Sequence, residues 1–110
     1  MKRANGVDFD YDLLPETVDA SQLNGVGIAD MTAKCVQRTP NKAMYLRWDG
    51  TYEVFRIKIS REKEIFGRTY PPREVYPGNE DFGTFAWCYK DKDMALKRYE
   101  DMPDTLYRVI

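Results

Sequence analysis

The sequence has no histidine and only two cysteines, Cys35 and Cys88, among its 110 residues. The absence of histidine excludes the Ser–His and Cys–His couples of nucleophilic catalysis, histidine-ligated metal sites and the side chain that ordinarily titrates near neutral pH. Two cysteines without histidine also fall short of a tetrahedral zinc site. The sequence therefore predicts a binding protein rather than an enzyme, with no catalytic residues, no metal site and no cofactor.

Long apolar runs are also missing, and none approaches the roughly 20 residues that a membrane-spanning helix needs. Lys2 and Arg3 are followed by the mixed stretch 4–8 and not by the apolar segment of a secretory signal. These absences favour a cytoplasmic protein, in a compartment that keeps thiols reduced. We therefore predict that Cys35 and Cys88 are two buried thiols without a disulfide.

The apolar content of the chain is sufficient for a modest core. Leu, Ile, Val and Phe account for 23 of the 110 residues, which is just above the roughly 20% below which disorder is common. Eight Tyr, five Phe and two Trp residues add further apolar bulk. The apolar content predicts that the chain folds, and its length suits a single domain.

Charge is distributed in blocks, although the formal net charge is only −1. Residues 1–30 carry two basic and six acidic residues, residues 31–73 carry ten and four, and residues 74–104 carry four and eight. The middle block is thus basic, with a net charge of +6, and both flanks are acidic, with −4 each. The blocks either neutralise one another in the fold or leave a basic surface open for an anionic partner.

Residues 1–30 have the features of an acidic N-terminal arm that precedes an α+β domain spanning residues 31–110. Pro15 predicts the first turn of a short helix that runs to about Leu23. The alternating aspartates at the start of the arm do not form a calcium loop, because Leu13 occupies the position that requires glycine. The stretch is either a solvated tail or a peptide-like segment that docks on its own domain or on a partner through Phe9, Tyr11, Leu13 and Leu14.

The clearest local signal is a β-hairpin centred on Asp49-Gly50, a dipeptide typical of two-residue type I′ turns. If these two residues form the turn, Trp48 pairs with Thr51 and the pairing continues outward along both strands. Side-chain alternation then assigns one face to the core and the other to solvent. The core face carries Met44, Leu46, Trp48, Phe55, Ile57 and Ile59, and the outer face carries Tyr45, Arg47, Tyr52, Val54, Arg56 and Lys58.

The rest of the chain completes the predicted architecture. Four further segments have strand character: residues 31–39, 64–70, 84–90 and 105–110. A loop is expected over residues 71–83, and a helix is expected to begin after Asp91 or Asp93 and to end at Pro103. The sequence thus predicts a single-domain α+β fold, in which an antiparallel sheet of four to six strands packs against one main C-terminal helix.

The outer face of the hairpin combines basic and aromatic side chains, and the Pro/Tyr segment 69–78 offers a semi-rigid loop. The residues predicted to bind a partner are Tyr45, Arg47, Tyr52, Arg56, Lys58, Tyr70, Arg73 and Tyr76. Such side chains suit the centre of a protein interface, hold single-stranded nucleic acid, or simply cover an exposed sheet. We expect a small adaptor- or inhibitor-like protein that binds a protein partner. The alternative is a binder of single-stranded nucleic acid or of a nucleotide-like anion.

Overall fold

The computed structural model of the protein describes residues 7–18 and 32–110, which form ten β-strands, one α-helix and one turn of 3-10 helix. In chain order the elements are β1 (Thr17–Val18), β2 (Ala33–Arg38), β3 (Lys42–Arg47), β4 (Tyr52–Arg56), β5 (Lys58–Ser60), β6 (Lys63–Ile65), β7 (Arg68–Tyr70), β8 (Arg73–Val75), the 3-10 turn (Asn79–Asp81), β9 (Ala86–Tyr89), α1 (Lys92–Asp101) and β10 (Arg108–Val109).

The largest layer is a five-stranded antiparallel sheet with the strand order β1-β2-β3-β4-β9, and α1 packs against β3, β4 and β9. A smaller sheet has the order β10-β5-β8, and β6 and β7 form a separate hairpin. The predicted α+β class, the antiparallel sheet of four to six strands and the C-terminal helix are confirmed. The last strand was expected in this sheet, but β10 pairs in parallel with β5 instead.

Helix α1 is fixed at both ends by side chains that satisfy its unpaired backbone groups. Asp91 Oδ1 accepts hydrogen bonds from two backbone N–H groups of the first turn, at 2.8 and 3.3 Å. At the other end, the buried Lys42 of β3 donates from Nζ to the carbonyl oxygens of Tyr99 (2.8 Å) and Met102 (3.1 Å). The ammonium group thus lies where the helix dipole is negative and ties α1 to the sheet.

The turn between β3 and β4 has three residues, Trp48–Gly50, rather than the predicted two. The N–H of Gly50 donates to the carbonyl of Arg47 at 3.0 Å, and Gly50 has a φ of +85°. Asp49 Oδ1 accepts hydrogen bonds from the backbone N–H (3.1 Å) and the hydroxyl (2.6 Å) of Thr51. This is the geometry of a tight turn followed by a left-handed glycine, the usual form of a three-residue hairpin loop.

The longer turn shifts the register of the hairpin by one residue. Tyr45 therefore pairs with Glu53, and Met44 pairs with Val54. A shift of one residue moves the side chains of one strand to the opposite face. The two faces predicted from the sequence are consequently wrong.

Both faces of the main sheet are covered at its central strands β3 and β4, so neither is an open surface there. On one side Met44 and Val54 pack with α1 in a cluster that includes Ala95, Tyr99 and Met102. On the other side the cluster consists of Val18, Ala33, Ala43, Tyr45, Phe55, Ile57, Tyr76 and Ala86. Four consecutive residues of β3 are buried as a result, although alternation with a solvent face predicts every second one.

The described part of the N-terminal arm, residues 7–18, lies against the domain. Val7 and Val18 are buried, and Thr17–Val18 form an edge strand that pairs with β2. The helix predicted from Pro15 is therefore absent up to Val18, and the rest of that prediction, residues 19–23, lies outside the described residues. Strand geometry is favoured here because the backbone N–H and C=O groups of β2 pair with this segment.

Candidate functional site

Two of the predicted binding residues, Tyr45 and Tyr76, are core residues. Tyr45 has no exposed surface, and its ring centre lies 5.7 Å from that of Phe55 and 5.4 Å from that of Tyr76. The Tyr45 hydroxyl donates to the carbonyl oxygen of Pro15 at 2.8 Å. Burial raises the pKa of both tyrosine hydroxyls far above the ordinary value, so both remain protonated donors.

The remaining hairpin residues point in different directions and are engaged within the fold. Tyr52 packs against the helix-covered cluster. Arg56 donates to the carbonyl and the hydroxyl of Thr105 at 3.2 and 3.1 Å. Lys58 Nζ lies 2.7 Å from the carboxylate of Asp81. The structure therefore does not bring these side chains together with Tyr45 and Arg47 into one open basic-aromatic face, because the register differs from the predicted one.

Glu53 forms a polar cluster with Arg47 and Tyr76 on the face of the main sheet opposite α1. The Tyr76 hydroxyl donates to Glu53 Oε1 at 2.5 Å, and Arg47 Nε lies 3.7 Å from the same oxygen. Burial raises the pKa of Glu53, and the Tyr76 hydrogen bond and the Arg47 charge only partly offset it. Arg47 also stacks over the Trp48 ring at 4.5 Å, so it is held within its own fold.

The raised pKa of Glu53 has an expected consequence for stability. The folded protein holds this proton more tightly than the unfolded chain, so the contribution of Glu53 is fully present at acid pH. It is lost as the pH rises through the raised pKa. Glu53→Gln still accepts from Tyr76 but does not titrate. The unfolding free energy of the wild type minus that of the variant should therefore fall as the pH rises from about 4, and level off once the pH exceeds the raised pKa of Glu53.

Urea unfolding of both proteins at several pH values measures this difference. The Asp104 carboxyl, which accepts a hydrogen bond from Thr39, has a lowered pKa, so its contribution to stability grows as the pH rises. Contributions of this kind are the same in the wild type and in Glu53→Gln, and they cancel in the difference. A difference that stays constant or grows with pH would contradict the assignment.

The arm is anchored by an ion pair between Glu74 of β8 and Arg38 of β2. Glu74 is 3% exposed, and its two carboxylate oxygens lie 2.7 and 2.8 Å from the two terminal nitrogens of Arg38. The backbone N–H of Leu14 donates to Glu74 Oε1 at 2.8 Å. A few residues on, the N–H of Cys35 donates to the carbonyl of Glu16. Of the two predicted roles of the arm, docking on its own domain therefore describes residues 7–18.

The β6–β7 hairpin stands apart from the packed sheets. All nine residues from Arg61 to Thr69 are exposed. Phe66 and Gly67 form its two-residue turn, with φ values of +52° and +75°, as a type I′ turn requires. The Phe66 side chain is fully exposed, with a relative accessibility of 102%, and that of Ile65 is 43% exposed. Two of the predicted binding residues lie next to this hairpin: Tyr70 ends β7, and Arg73 begins β8.

Phe66 is an unfavourable residue at its position. Left-handed backbone costs a residue with a bulky side chain more than it costs Asn, Asp or Gly. Full exposure means that no packing in the described part of the chain offsets this cost. Sequence reasoning missed the turn because it took Gly67 as an interruption of one strand. The available signal was the glycine itself, since type I′ turns favour it at the second position.

The two faces of the hairpin differ in charge. In the cross-strand register Lys63 pairs with Tyr70 and Ile65 with Arg68, so these four side chains share one face, whereas Glu64 lies on the other. Neither Lys63 nor Arg68 has an ion-pair partner within residues 7–18 and 32–110. We call these four residues the basic hairpin face. It is amphipathic, with two cations around an aliphatic and an aromatic side chain.

A cleft of about 420 Å³ lies at the base of the hairpin, lined by Phe9, Arg61, Glu62 and Pro72. The guanidinium carbon of Arg61 lies 5.6 Å from the centre of the Phe9 ring, within the range of a cation–π contact. The arm thus contributes an aromatic wall to the hairpin base. A second cavity of about 320 Å³ is lined by residues 12–15 of the arm and residues 73–76.

The two cysteines lie on the same face of the main sheet and form no disulfide. Cys35 pairs with Tyr45, Tyr45 with Glu53 and Glu53 with Cys88, so three strand spacings, roughly 14 Å, separate the thiols. A disulfide needs Cα atoms within about 7 Å. Both thiols are free, but Cys88 is exposed and Cys35 is half-buried, so the prediction of two buried thiols is wrong. Burial raises the pKa of the Cys35 thiol.

Other features of the described chain add no chemistry to the site. Within residues 7–18 and 32–110, no three Cys, Asp or Glu side chains cluster closely enough to hold a metal ion. The same residues contain no helix that is long and apolar enough to cross a membrane.

Comparison of the chain with models of protein families, with curated proteins and with solved structures gives no match.

Proposed function

We propose that this chain is a small non-enzymatic binding protein that engages a protein partner through the tip and the basic face of the β6–β7 hairpin. The observation that supports this best is Phe66, an aromatic ring on a left-handed residue with its whole side chain in solvent. Backbone strain and an exposed ring both cost free energy, and residues of this kind concentrate at functional sites. Contact with a partner gives the ring the burial that the fold does not.

The charges around the tip define the partner surface. Lys63 and Arg68 flank Ile65 on the basic hairpin face, and a partner with acidic groups around an apolar pocket is complementary to it. Tyr70 and Arg73 extend the same region at the end of β7 and the start of β8. These two are the residues of the sequence-based prediction that the proposed surface retains.

A protein partner fits this hairpin better than a nucleic acid does. Glu62 and Glu64 alternate with the cations of the hairpin, and the whole chain carries a net charge of −1. Domains that bind polynucleotide are usually strongly basic, because phosphate contacts dominate their affinity. Glu64 lies on the face opposite Lys63 and Arg68, so the hairpin offers a small cluster of cations and not the extended basic surface on which polynucleotide binding depends.

Site-specific photo-crosslinking tests the proposal. A photoreactive phenylalanine analogue at position 66, in the full chain expressed in its native cells, is expected to give one dominant protein adduct. The same analogue at Met94, an exposed residue on α1 that is 56% accessible, is the matched control and should not give it. Charge reversal by Lys63→Glu with Arg68→Glu should reduce the adduct at least tenfold. Absence of a protein adduct, or a nuclease-sensitive adduct, would overturn the proposal.

Phe66→Asn separates binding from folding. Asparagine tolerates the left-handed turn position, so the variant should be as stable as the wild type or more stable by up to about 1 kcal/mol. Binding to the partner identified by the crosslink should nevertheless be lost, because the anchoring ring is gone. Unfolding curves measure the stability of the variant, and a binding titration on the same preparation measures its affinity for the partner. A variant that binds normally would show that Phe66 is not an anchor.

A further inference from the structure

We infer that the ligand of the hairpin is an extended acidic peptide segment carrying an aromatic side chain, which seats in the cleft lined by Phe9, Arg61, Glu62 and Pro72. This inference rests on the proposed function, because it names the partner chemistry of the same hairpin.

The cleft walls have the chemistry of an aromatic pocket. The Phe9 ring and the Pro72 ring are flat apolar surfaces, and the planar Arg61 guanidinium stacks readily on aromatic faces. A volume of about 420 Å³ lies within the range of pockets that hold small ligands, which is ample for one aromatic side chain. Such walls select a ring over an aliphatic chain, since only a ring gains the stacking and cation–π contacts.

One aromatic contact of this kind already exists within the chain. Phe9 lies between Asp8 and Asp10 in the sequence, and its ring packs under the Arg61 guanidinium at 5.6 Å. Asp8 and Asp10 are exposed. The Arg61 guanidinium therefore accepts an aromatic ring, and acidic residues next to such a ring can reach the nearby cations Lys63 and Arg68. A ligand ring can pack against the side of Phe9 that lines the cleft, since the Phe9 ring otherwise contacts Tyr11 edge-on.

The charges around the cleft give the ligand a direction. Lys63 and Arg68 continue from Arg61 toward the hairpin tip, and neither of these two has an ion-pair partner in the described residues. Glu62 lies on the cleft rim and repels acidic groups on its own side. The acidic residues of the ligand therefore extend from the cleft along the basic hairpin face.

An extended ligand fits better than a helical one because β6 and β7 form a two-stranded sheet on their own. Among residues 7–18 and 32–110, neither strand has a further strand on its outer edge. A strand edge offers unpaired backbone N–H and C=O groups, which an extended peptide can join by strand addition. Backbone pairing then holds the peptide, the cleft binds its aromatic side chain, and the cations contact its acidic side chains.

Binding of a synthetic peptide with the sequence of residues 7–14 to the full chain tests the inference. Fluorescence anisotropy should show saturable binding that weakens with added salt. Exchanging the two aromatic residues of the peptide for serine, or its aspartates for asparagine, should each weaken binding at least tenfold. Arg61→Glu should do the same, whereas Lys97→Glu, a charge reversal on the exposed side of α1, should change the affinity less than twofold. Backbone amide shifts in NMR spectra should concentrate in residues 61–70.

Three results would overturn the inference: no saturable binding at millimolar peptide, shifts at Leu14 and Glu74 that signal displacement of the arm, or tighter binding of a charge-matched oligonucleotide. None of these removes the crosslink from position 66, so the proposed function would survive with a different ligand. Conversely, peptide binding without a crosslink in cells would remove the proposed function and leave the peptide specificity of the hairpin.

Discussion

Replacing Glu74 with alanine is expected to lower the free energy of unfolding by about 3 kcal/mol and to loosen the N-terminal arm. The carboxylate is buried and makes a two-pronged contact with Arg38, whose side chain is 23% exposed. Removing one member of a buried pair leaves the other charge without its partner, at a cost of about 3–5 kcal/mol. Because Arg38 can still reach water, the low end of that range applies.

Loosening of the arm has its own signature. The Leu14 N–H donates to Glu74 Oε1, so its amide hydrogen should exchange with solvent much faster in Glu74→Ala than in the wild type. The N–H of Gly50, in the turn that the variant does not touch, should keep its wild-type rate after correction for global stability. Hydrogen exchange followed by NMR measures both amides in one experiment.

Two controls isolate the ion pair from general damage. Glu64→Ala removes an exposed glutamate of the β6–β7 hairpin and should change stability by less than about 0.5 kcal/mol. Arg38→Ala, Glu74→Ala and the double variant form a cycle whose coupling energy should reach at least about 1.5 kcal/mol. Additive losses, or an unchanged Leu14 exchange rate, would show that the arm is held by other contacts.

The parts of the fold that follow from local chemistry were predictable. An aspartate before a helical stretch and a proline after it delimit α1, because a carboxylate satisfies first-turn N–H groups and a proline cannot continue a helix. The strands β2 and β9 lie within the predicted segments 31–39 and 84–90, and β3 and β4 form the predicted hairpin. These signals act over a few residues and do not depend on how the sheet is covered.

The hairpin register could not be predicted, because two turns compete for the same residues. Asp49-Gly50 suits a two-residue turn, but the Asp49 carboxylate here bonds to Thr51, and Gly50 takes the left-handed position of a three-residue turn. The sheet is also buried on both faces, so polar–apolar alternation does not choose between the registers. The predicted binding face depended on that choice and was lost with it.

The exposed β6–β7 hairpin was hidden from sequence reasoning for a different reason. Its charged residues resemble any solvated segment, and Gly67 is the one local signal that places Phe66 at a turn and not in the core. Exposure depends on how far the hairpin projects from the smaller sheet, which is a tertiary property. The sequence analysis assigned Tyr70 and Arg73 to a Pro/Tyr loop, but Tyr70 ends β7 and Arg73 begins β8, next to this hairpin.

Tyr45→Ala gives the largest expected effect, a loss of about 4 kcal/mol of unfolding free energy. The ring is fully buried between Phe55 and Tyr76, and truncating a buried aromatic side chain leaves a cavity that the surrounding β-strands cannot fill. Tyr45→Phe keeps the ring and removes only the hydroxyl that donates to Pro15. Its cost should therefore be about 1–2 kcal/mol.

The stability loss of Tyr45→Ala also decides between the two-residue and the three-residue turn of the β3–β4 hairpin. In the two-residue-turn register Tyr45 lies on the solvent face, where truncation to alanine ordinarily costs less than about 1 kcal/mol. Tyr70→Ala, a half-buried tyrosine at the end of β7, provides the matched control with a cost near that level. A Tyr45→Ala variant as stable as Tyr70→Ala would refute the three-residue turn and restore the face predicted from the sequence. A loss several times larger would place Tyr45 in the core and exclude its side chain from any binding surface.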